Sequence, residues 1–517
     1  MSEKFYITTP IYFVNDQPHV GHVYSTTIAD IIARYRRQTG DAVFFLTGTD
    51  EHAAKVVDSA AERGLTAIAW ADQNAAVFEE TFAKFGISND DFIRTSQTRH
   101  TEKVQQYLTA MLSTDDIYIG RYDGWYDAGQ EEYVTESKAA ESDYKSPVNG
   151  RPLVRKSEDN YYFRLSAFQD DLLRLVTEQP DFVQPEARRN EVLGRLREGL
   201  NDVPVSRTGT PWGVPFPGNE THRVYVWIDA LFNYLTTVDT PERRHFWPAD
   251  VHLIGKEILW FHAVIWPAVL IALRRTPGYE WVELPRHVYA HGFWISEGMK
   301  MSKSLGNFID LAKLDHYVST YGLDALRYFF ASQGPLGAAD RDFADARFVE
   351  VYNADLANNF GNLVQRATTL IGRNAGGVLP EPDALGEAER TLRAEAESLP
   401  ARVAVAFDRF AVDEALSAVT DLVRAANRYA EETKPWTLAK EGGSGLATSL
   451  YHLAEAARLA AWYLTPFMPN TAPEAHRRLS GRGPEAGLGV FGAVQPGAPV
   501  TGGAPLFPRA QVAAASS

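Results

Sequence analysis

The first 115 residues alternate between two patterns of hydrophobic and polar positions. Short apolar runs predict β-strands, and longer runs with apolar residues three and four positions apart predict amphipathic helices. Strands that alternate with helices are typical of a parallel sheet, whose ligands bind beyond the carboxyl ends of the strands. The predicted strands are Phe5–Thr8, Val43–Thr47 and Phe92–Thr95, and the predicted helices cover 22–39, 66–85 and 100–113.

The pattern changes twice further along the chain. After residue 115 the segments become short and broken by turns, which indicates an insertion between two halves of the sheet. From residue 349 onward, apolar positions with helical spacing predict a bundle of at least three helices. The predicted fold class is therefore α/β, a doubly wound parallel-sheet (Rossmann-type) domain split by an insertion and followed by an all-α bundle. The predicted boundaries are 1–115 and 224–290 for the two halves of the sheet domain, 116–223 for the insertion, 291–348 for a loop-bearing segment, 349–480 for the bundle and 481–517 for a tail that packs back on the body.

Composition narrows the class of protein. A chain of 517 residues is long enough for about three to four domains. It contains no cysteine, which excludes disulfides and thiolate metal sites and favours a cytoplasmic location. We expect no membrane segment, since no run of about 18 apolar residues occurs, and no signal peptide. The net charge of −15 argues against a general nucleic-acid coat, but a local basic patch would still permit RNA binding.

Two histidines mark the first candidate site. His19 and His22 follow the first predicted strand and open the first predicted helix, three positions apart and on one side. The unpaired N–H groups and the positive dipole end of a helix N-terminus form an anion site. Gly21 carries no side chain, so we expect a phosphate to approach the backbone there.

A second candidate site lies nearly three hundred residues later. Lys300 and Lys303 sit in a loop rich in serine and glycine, where two ammonium groups offer charge to phosphate oxygens. Together with His19-Val20-Gly21-His22, the stretch Lys300-Met301-Ser302-Lys303-Ser304 resembles the two signatures of class I aminoacyl-tRNA synthetases.

Further blocks narrow this resemblance to the methionyl-tRNA synthetase family, over essentially the whole chain. The blocks are Thr9–Tyr12, Gly48–His52, Val226–Leu231, Leu253–Ile258, Phe261–Pro267, and Asn427–Tyr429 through Lys434–Trp436. The resemblance implies ATP-dependent activation of L-methionine to methionyl-adenylate, followed by transfer to tRNA(Met). It also implies Mg²⁺ with ATP.

The resemblance also assigns residues to each substrate. The catalytic residues would be His19, His22, Lys300 and Lys303. ATP would contact Pro10, His19, Gly21, His22, Gly255, Glu257, His291, Gly292, Met301, Ser302 and Lys303. The methionine pocket would be lined by Ile11, Tyr12, Asp50, Trp227, Ala230, Leu231, Tyr234, Ile258, His262 and Trp266. Asp50 would hold the α-ammonium group. Tyr234 and His262 would either donate to the sulfur or position the aromatic wall. The tRNA anticodon would be read by Asn353, Asn359, Arg366 and Trp436.

Two expectations concern what the chain lacks. Many family members carry zinc knuckles in the insertion, whereas this chain has Asp127-Ala128-Gly129-Gln130 and Ser146-Pro147-Val148-Asn149 at those places. Zinc prefers thiolate or imidazole ligands, so we expect no structural zinc. The chain stops soon after the bundle, without the dimerising domain of longer relatives, so we expect a monomer.

Other functions fit parts of the sequence. Nucleotidylyltransferases share the histidine-bearing helix start, but a long helical region argues against such an enzyme. A catalytically idle tRNA-binding protein would not need His19, His22, Lys300 and Lys303. Synthetases for leucine, isoleucine, valine or cysteine remain possible, although those for branched substrates usually have a larger insertion.

Overall fold

The computed structural model describes residues 3–127, 132–147, 150–296, 298–299, 301, 307–383, 385–442 and 444–510. The strands are β1 Lys4–Phe13, β2 Ala42–Asp50, β3 Asp91–Arg94, β4 Ile117–Asp127, β5 Glu132–Val134, β6 Val154–Phe163, β7 Val183–Gln184, β8 Val203–Pro204, β9 Ser206–Thr208, β10 Pro215–Phe216, β11 Asn219–Val224, β12 Val251–Gly255, β13 Val288–His291, β14 Trp294–Ile295 and β15 Arg341–Asp342.

Helices account for most of the remaining elements. The α-helices are α1 Val20–Thr39, α2 Ala54–Glu62, α3 Ala67–Lys84, α4 Thr98–Met111, α5 Glu136–Glu141, α6 Gln169–Glu178, α7 Glu186–Arg197, α8 Val226–Leu231, α9 Asn233–Thr236, α10 Trp266–Arg274, α11 Leu311–Tyr321, α12 Leu323–Gln333, α13 Asp345–Val351, α14 Asn362–Asn374, α15 Glu387–Asp408, α16 Val412–Thr433, α17 Pro435–Glu441, α18 Leu446–Leu464 and α19 Thr471–Ser480. Short 3₁₀ turns cover Leu165–Phe168, Arg244–Phe246 and Lys256–Ile258, and π-helices cover Phe261–Ile265 and Tyr352–Gly361.

A six-stranded parallel sheet forms the centre of the fold. Its strand order is β3-β2-β1-β12-β13-β7, and every neighbouring pair is parallel. Alternate side chains of β1 enter opposite layers: Phe5 and Ile7 belong to the core cluster that contains α1, whereas the ring of Tyr6 lies in the other layer, 5.2 Å from that of Phe44. The predicted α/β fold class and the alternation of strands and helices in the first 115 residues are confirmed.

The segment between β3 and β11 has its own antiparallel sheets. One has the order β5-β4-β6-β8 and the other the order β10-β11-β9. β7 also comes from this segment, yet it joins the edge of the central sheet beside β13. The predicted insertion is thus tied to the central sheet by one of its own strands.

The C-terminal helices pack directly on α1, the helix that begins at the two signature histidines. Tyr35 of α1 stacks on Phe407 of α15, with ring centroids 3.8 Å apart. The fully buried Arg327 of α12 donates to Asp30 of α1 at 2.6 Å and to the backbone carbonyls of Pro466 and Phe467. A buried arginine with this many acceptors fixes the bundle against the sheet domain.

The end of the described chain lies on the helical region. Phe507 is buried and its ring lies 6.1 Å from that of Tyr352. Tyr352 donates its hydroxyl hydrogen to the carbonyl of Pro508 at 2.8 Å.

None of the helices in the described part of the chain is long and apolar enough to cross a membrane.

Candidate active site

The start of α1 positions the two histidines through hydrogen bonds to its own backbone. His19 is the N-cap, and its Nδ1 accepts from the N–H of Gly21 at 3.0 Å. The Nδ1 of His22 accepts from the N–H of His19 at 3.1 Å. Burial and the neighbouring His19 lower the pKa of His22 well below its usual value, so its ring is neutral. When Nδ1 of a neutral imidazole accepts a hydrogen bond, the ring's own hydrogen is on Nε2. Because Nδ1 bonds the backbone of the helix start, the Nε2–H group lies on the opposite side of the ring.

Gly21 has a second structural role beside the expected approach of a phosphate, which stays a prediction. A Cβ at this position would lie 2.9 Å from the His19 ring, which is closer than real contacts allow. The glycine therefore makes room for the imidazole that caps the helix.

The chain that follows the lysine loop returns to the same helix end. Val20 donates its N–H to the carbonyl of Ile309 at 3.2 Å, and the rings of His19 and Phe308 lie 5.3 Å apart. Met301 is half-buried and packs against the hydrophobic cluster that contains α1 and the C-terminal helices. Lys300, Ser302 and Lys303 lie outside the described residues, so their predicted roles remain predictions.

A cavity of about 600 Å³ opens at the carboxyl ends of β1, β2, β12 and β13. It contains most of the described residues that were expected at the two small substrates. From the ATP set these are Pro10, His19, Gly21, His22, Gly255, Glu257 and His291, and from the methionine set Ile11, Tyr12, Asp50, Trp227, Ala230, Leu231, Tyr234, Ile258 and His262.

Three expected residues that the structure describes lie outside this lining: Trp266, Gly292 and Met301. Trp266 is fully buried behind the wall, where its indole N–H donates to Nε2 of His252 at 3.3 Å. Ile258, His262 and Trp266 are spaced in steps of four, which would place them on one face of a continuous α-helix. A 3₁₀ turn and the π-helix Phe261–Ile265 interrupt that periodicity. Gly292 packs against the chain near residue 339, where a Cβ would lie 2.6 Å from the Ala339 carbonyl oxygen.

The inner wall of the cavity has a defined hydrogen-bond direction. Nδ1 of His262 lies 3.0 Å from the carbonyl oxygen of Ile258, and Nε2 lies 2.8 Å from the hydroxyl of Tyr234. Burial lowers the pKa of His262 to about 4, so the ring is neutral. A carbonyl can only accept, so Nδ1 carries the hydrogen and Tyr234 donates to Nε2. Both donor hydrogens are used within the wall, which favours a positioning role over donation to a substrate sulfur.

A buried carboxylate lies directly behind this wall. Asp229 on α8 is fully buried, with one oxygen 2.7 Å from Nδ1 of His52 and the other 2.9 Å from Nε2 of His100. Burial raises the pKa of Asp229, but the two histidines outweigh it and hold the value at about 2. This cluster joins the helix that carries Trp227 to the loop that carries Asp50.

The loop after β2 is fixed at several points. Glu51 accepts from Arg94 at 2.6 Å and from the Thr49 hydroxyl at 2.9 Å, and its backbone carbonyl accepts from the Trp212 indole at 2.8 Å. Asp50 is buried and faces the cavity from this loop. The carboxylate expected to hold an ammonium group is therefore on a rigid support.

The other end of the cavity is more polar. Glu257 lines this end of the cavity and is exposed there, while the protein around its carboxyl group desolvates it and raises its pKa to about 6. His291 lies with Nδ1 2.7 Å from the carbonyl of Gly292 and Nε2 2.7 Å from the Ser25 hydroxyl, and burial lowers its pKa to about 4. His291 thus ties β13 to α1 as a neutral ring.

Sequence reasoning missed several contributors to the site. Phe261 stacks on Trp227 with ring centroids 3.9 Å apart, and the Phe13 ring stands nearly perpendicular to the same indole with centroids 5.9 Å apart. Phe13 and Phe261 are the sequence neighbours of Tyr12 and His262, and this adjacency was the signal that could have indicated their place at the site. His52 and Asp229 were in recognised blocks, but their pairing depends on a contact across 177 positions of sequence.

The residues expected at the anticodon fall into separate groups. Arg366 and Trp436 lie together, with the guanidinium carbon 5.2 Å from the indole centroid, and Arg366 donates to Glu431 at 2.8 Å. Asn359 accepts from Asn427 at 2.7 Å. Asn353 instead bonds the backbone of Ala510 with both its amide oxygen and its amide nitrogen. Their role in RNA recognition remains a prediction.

The expected zinc-free segment is only partly described. Asp127 and Ser146 are buried, whereas residues 128–131 and 148–149 lie outside the described ranges. Within the described ranges, no group of three or more histidine, aspartate or glutamate side chains could hold a metal ion.

Comparison with known proteins identifies the family of the chain. The model of the class I tRNA synthetases (M) matches residues 5–141 and 139–368. The methionine–tRNA ligase of Caldanaerobacter subterraneus subsp. tengcongensis is 42% identical over 99% of this chain and 80% of its own length, and that of Mesorhizobium japonicum is 42% identical over 91% of this chain and 90% of its own. The structure of Mycobacterium tuberculosis methionyl-tRNA synthetase in complex with methionyl-adenylate superposes with a TM-score of 0.90 at 38% identity, covering 98% of this chain and all of that one. The chain belongs to the methionyl-tRNA synthetase family of class I tRNA synthetases.

Proposed function

We propose that this chain is a methionine–tRNA ligase that forms methionyl-adenylate from L-methionine and ATP and then esterifies tRNA(Met). A single observation carries the proposal: one cavity joins the histidine-bearing start of α1 to an aromatic wall and a buried aspartate. The histidine-bearing start of α1 suits a triphosphate, and the aromatic wall with the buried aspartate suits an amino acid with an apolar side chain.

Methionine would bind at the Asp50 end of the cavity. The Asp50 carboxylate would accept charge-assisted hydrogen bonds from the α-ammonium group. Trp227, Tyr234 and Ile258 would surround the thioether, a polarizable group that packs well against aromatic rings. His262 and Asp229 would hold this wall in place through the bonds described above.

The adenylation step needs alignment more than proton transfer. An oxygen of the methionine carboxylate, already ionised at neutral pH, bonds to the α-phosphorus, and the bond from that phosphorus to the bridging oxygen of pyrophosphate breaks. The Nε2–H groups of His19 and His22 would donate to phosphate oxygens, while Lys300 and Lys303 would neutralise the leaving pyrophosphate. Mg²⁺ would accompany ATP and supply further charge neutralisation, held chiefly by phosphate oxygens and water.

The second step transfers the methionyl group to tRNA. The terminal ribose hydroxyl oxygen bonds to the carbonyl carbon, the bond from that carbon to the AMP oxygen breaks, AMP leaves with the electron pair and the hydroxyl proton is released. The Trp436 ring would stack on an anticodon base beside Arg366. We also propose that the chain acts as a cytoplasmic monomer without structural zinc, with the domain boundaries predicted above.

Exchange of labelled pyrophosphate into ATP, measured across a panel of amino acids, tests this function. We expect methionine to support exchange far better than leucine, isoleucine, valine or cysteine. Lys303→Ala should lower the methionine-dependent rate by ~10²-fold or more, the scale of losing one oriented transition-state donor. Lys138→Ala, on the exposed surface of α5, is the matched control. Exchange that does not depend on methionine would contradict the proposal.

A further inference from the structure

A second cavity, of about 310 Å³, adjoins the substrate cavity. The two share Asn15, Asp16 and Gln17, the loop between β1 and α1. The far side of the second cavity is formed by α3 and the turn before it. Its remaining lining residues are Arg63, Trp70, Gln73, Asn74 and Val77. We call this second cavity the Trp70 groove.

The Trp70 groove has the chemistry of a nucleobase site. The Arg63 guanidinium lies over the Trp70 indole at 4.3 Å, which gives two stacked planar surfaces. The Trp70 Nε1 is buried and has no hydrogen-bond partner within the described part of the chain. Amide side chains from Asn15, Gln17 and Gln73 line the same groove. Unstacked bases bind on aromatic rings and guanidinium planes and are hydrogen-bonded at their edges by groups of this kind.

The transfer reaction requires the terminal nucleobase of tRNA to lie close to the Trp70 groove. The terminal ribose hydroxyl of tRNA must reach the carbonyl carbon of the adenylate inside the substrate cavity, so the base on that ribose must lie at the cavity edge. The Trp70 groove meets the edge at the Asn15–Gln17 loop.

Another groove at this edge is less suited to a nucleotide. It is lined by Asn15, Lys55, Asp58, Ser59, Glu62 and Arg151, with no aromatic ring. Its two carboxylates are balanced by Lys55 and Arg151, so the groove offers no net positive charge to a phosphate and no planar ring to a base. The aromatic groove is therefore the better site for a stacked base.

We propose that the Trp70 groove binds the unstacked terminal base of tRNA while its ribose accepts the methionyl group. This inference rests on the ligase function proposed above and adds a substrate-binding residue, Trp70, to it. Trp70 acts in transfer and not in adenylation, because the groove lies beside the cavity that holds methionine and ATP.

The test separates the two steps of the reaction. Trp70→Ala should lower the single-turnover rate of transfer from preformed adenylate to tRNA by about 10- to 100-fold, since stacking is worth roughly 1–3 kcal/mol per base. Pyrophosphate exchange, which needs no tRNA, should stay within about twofold of the unsubstituted enzyme. Trp70→Phe keeps a ring and should retain most of the transfer rate. Gln73→Ala, at an exposed position, should weaken transfer less and without loss of fold.

A matched control is Trp281→Ala. Arg244 lies over the Trp281 indole at the same 4.3 Å, but Trp281 lines neither cavity. The Trp281→Ala variant should lose a similar packing contact without a decrease in the rate of transfer to tRNA.

A binding experiment checks the site without catalysis. Intact tRNA should compete for the enzyme better than tRNA that lacks its terminal adenosine, and Trp70→Ala should remove this difference. If Trp70→Ala transfers the methionyl group to tRNA at the rate of the unsubstituted enzyme, the inference is wrong. A raised KM for ATP in exchange also overturns it, because the groove would then hold the adenine of ATP. Absence of methionine-dependent exchange in the unsubstituted enzyme would instead refute the ligase function itself.

Discussion

The substrate cavity and the Trp436 surface of the helical region are built in different ways. The side chains that shape the cavity wall are nearly inaccessible: Asp229, Tyr234 and His262 are exposed by 0%, 2% and 3%. On the Trp436 surface, the side chains of the Arg366–Glu431 ion pair are exposed by 25% and 61%. The first region holds its groups in place away from water, and the second leaves its groups within reach of solvent.

This difference matches the size of the two proposed ligands. A small amino acid must be recognised on all sides, so the groups that contact it need buried partners that fix their orientation. A nucleic-acid loop is recognised on a surface by stacking and by accessible polar groups. Equivalent substitutions should therefore cost much more free energy in the cavity wall than on the Trp436 surface.

The largest effect is expected for Asp229→Ala. It leaves two buried imidazoles without their shared acceptor, and each buried donor left unsatisfied costs about 1–3 kcal/mol. Urea unfolding would measure the lost free energy.

The low pKa of Asp229, about 2, also makes stability depend on acid. The contribution of Asp229 to the free energy of unfolding is present above about pH 4, near the ordinary pKa of an aspartate, and is lost as the pH falls through about 2. Asp229→Asn should lack that acid dependence. A loss below 1 kcal/mol in the alanine variant would contradict a structural role for the cluster.

A smaller effect is expected for Tyr234→Phe. It removes the donor to His262 and leaves a buried acceptor unsatisfied, which costs about 1–3 kcal/mol. We expect a raised KM for methionine and an unchanged KM for ATP in the exchange reaction. Tyr463→Phe loses a buried bond of similar length, to the carbonyl of Gly489, in the helical region. It should lower stability without changing either KM, and an equal change in both variants would argue against a specific role for Tyr234.

The polar end of the cavity should respond to pH. Since burial raises the pKa of Glu257 to about 6, its carboxyl group is protonated below that pH and ionised above it. Its contribution to folding is present below its ordinary pKa and is lost as the pH rises through about 6. We expect the KM for ATP to change between pH 5 and 7, by up to about tenfold. Glu257→Gln should flatten this dependence, and an unchanged profile in the variant would show that another group is responsible.

The smallest effect is expected for Glu431→Gln on the Trp436 surface. It breaks the ion pair with Arg366, and exposed pairs contribute about 0–1 kcal/mol. The difference in free energy of unfolding should shrink further at high salt, where exposed charges are screened. A loss as large as that of Asp229→Ala would remove the contrast between the two regions.

More than half of the cavity lining could be predicted from the sequence because its residues lie in short blocks that resemble the methionyl-tRNA synthetase family. Trp227, Ala230, Leu231 and Tyr234 have the spacing of one helical face, and all four line the cavity although the helix is divided between α8 and α9. Spacing in steps of four does not bring Trp266 to the cavity beside Ile258 and His262. A π-helix places successive turns about one residue further apart, and no hydrophobic pattern distinguishes it from an α-helix.

The sequence by itself determined the class of fold and the histidine-bearing helix start, because strand and helix patterns depend on neighbours a few residues away. Its resemblance to the methionyl-tRNA synthetase family supplied more than half of the residues that line the cavity. The tertiary structure decided how those side chains are held: Asp229 between His52 and His100, Tyr234 on His262, and Phe308 against His19. It also decided which ring nitrogens carry hydrogens. These contacts join elements that are distant along the chain, so they depend on packing of the whole sheet and its helices and leave no periodic signal in the sequence.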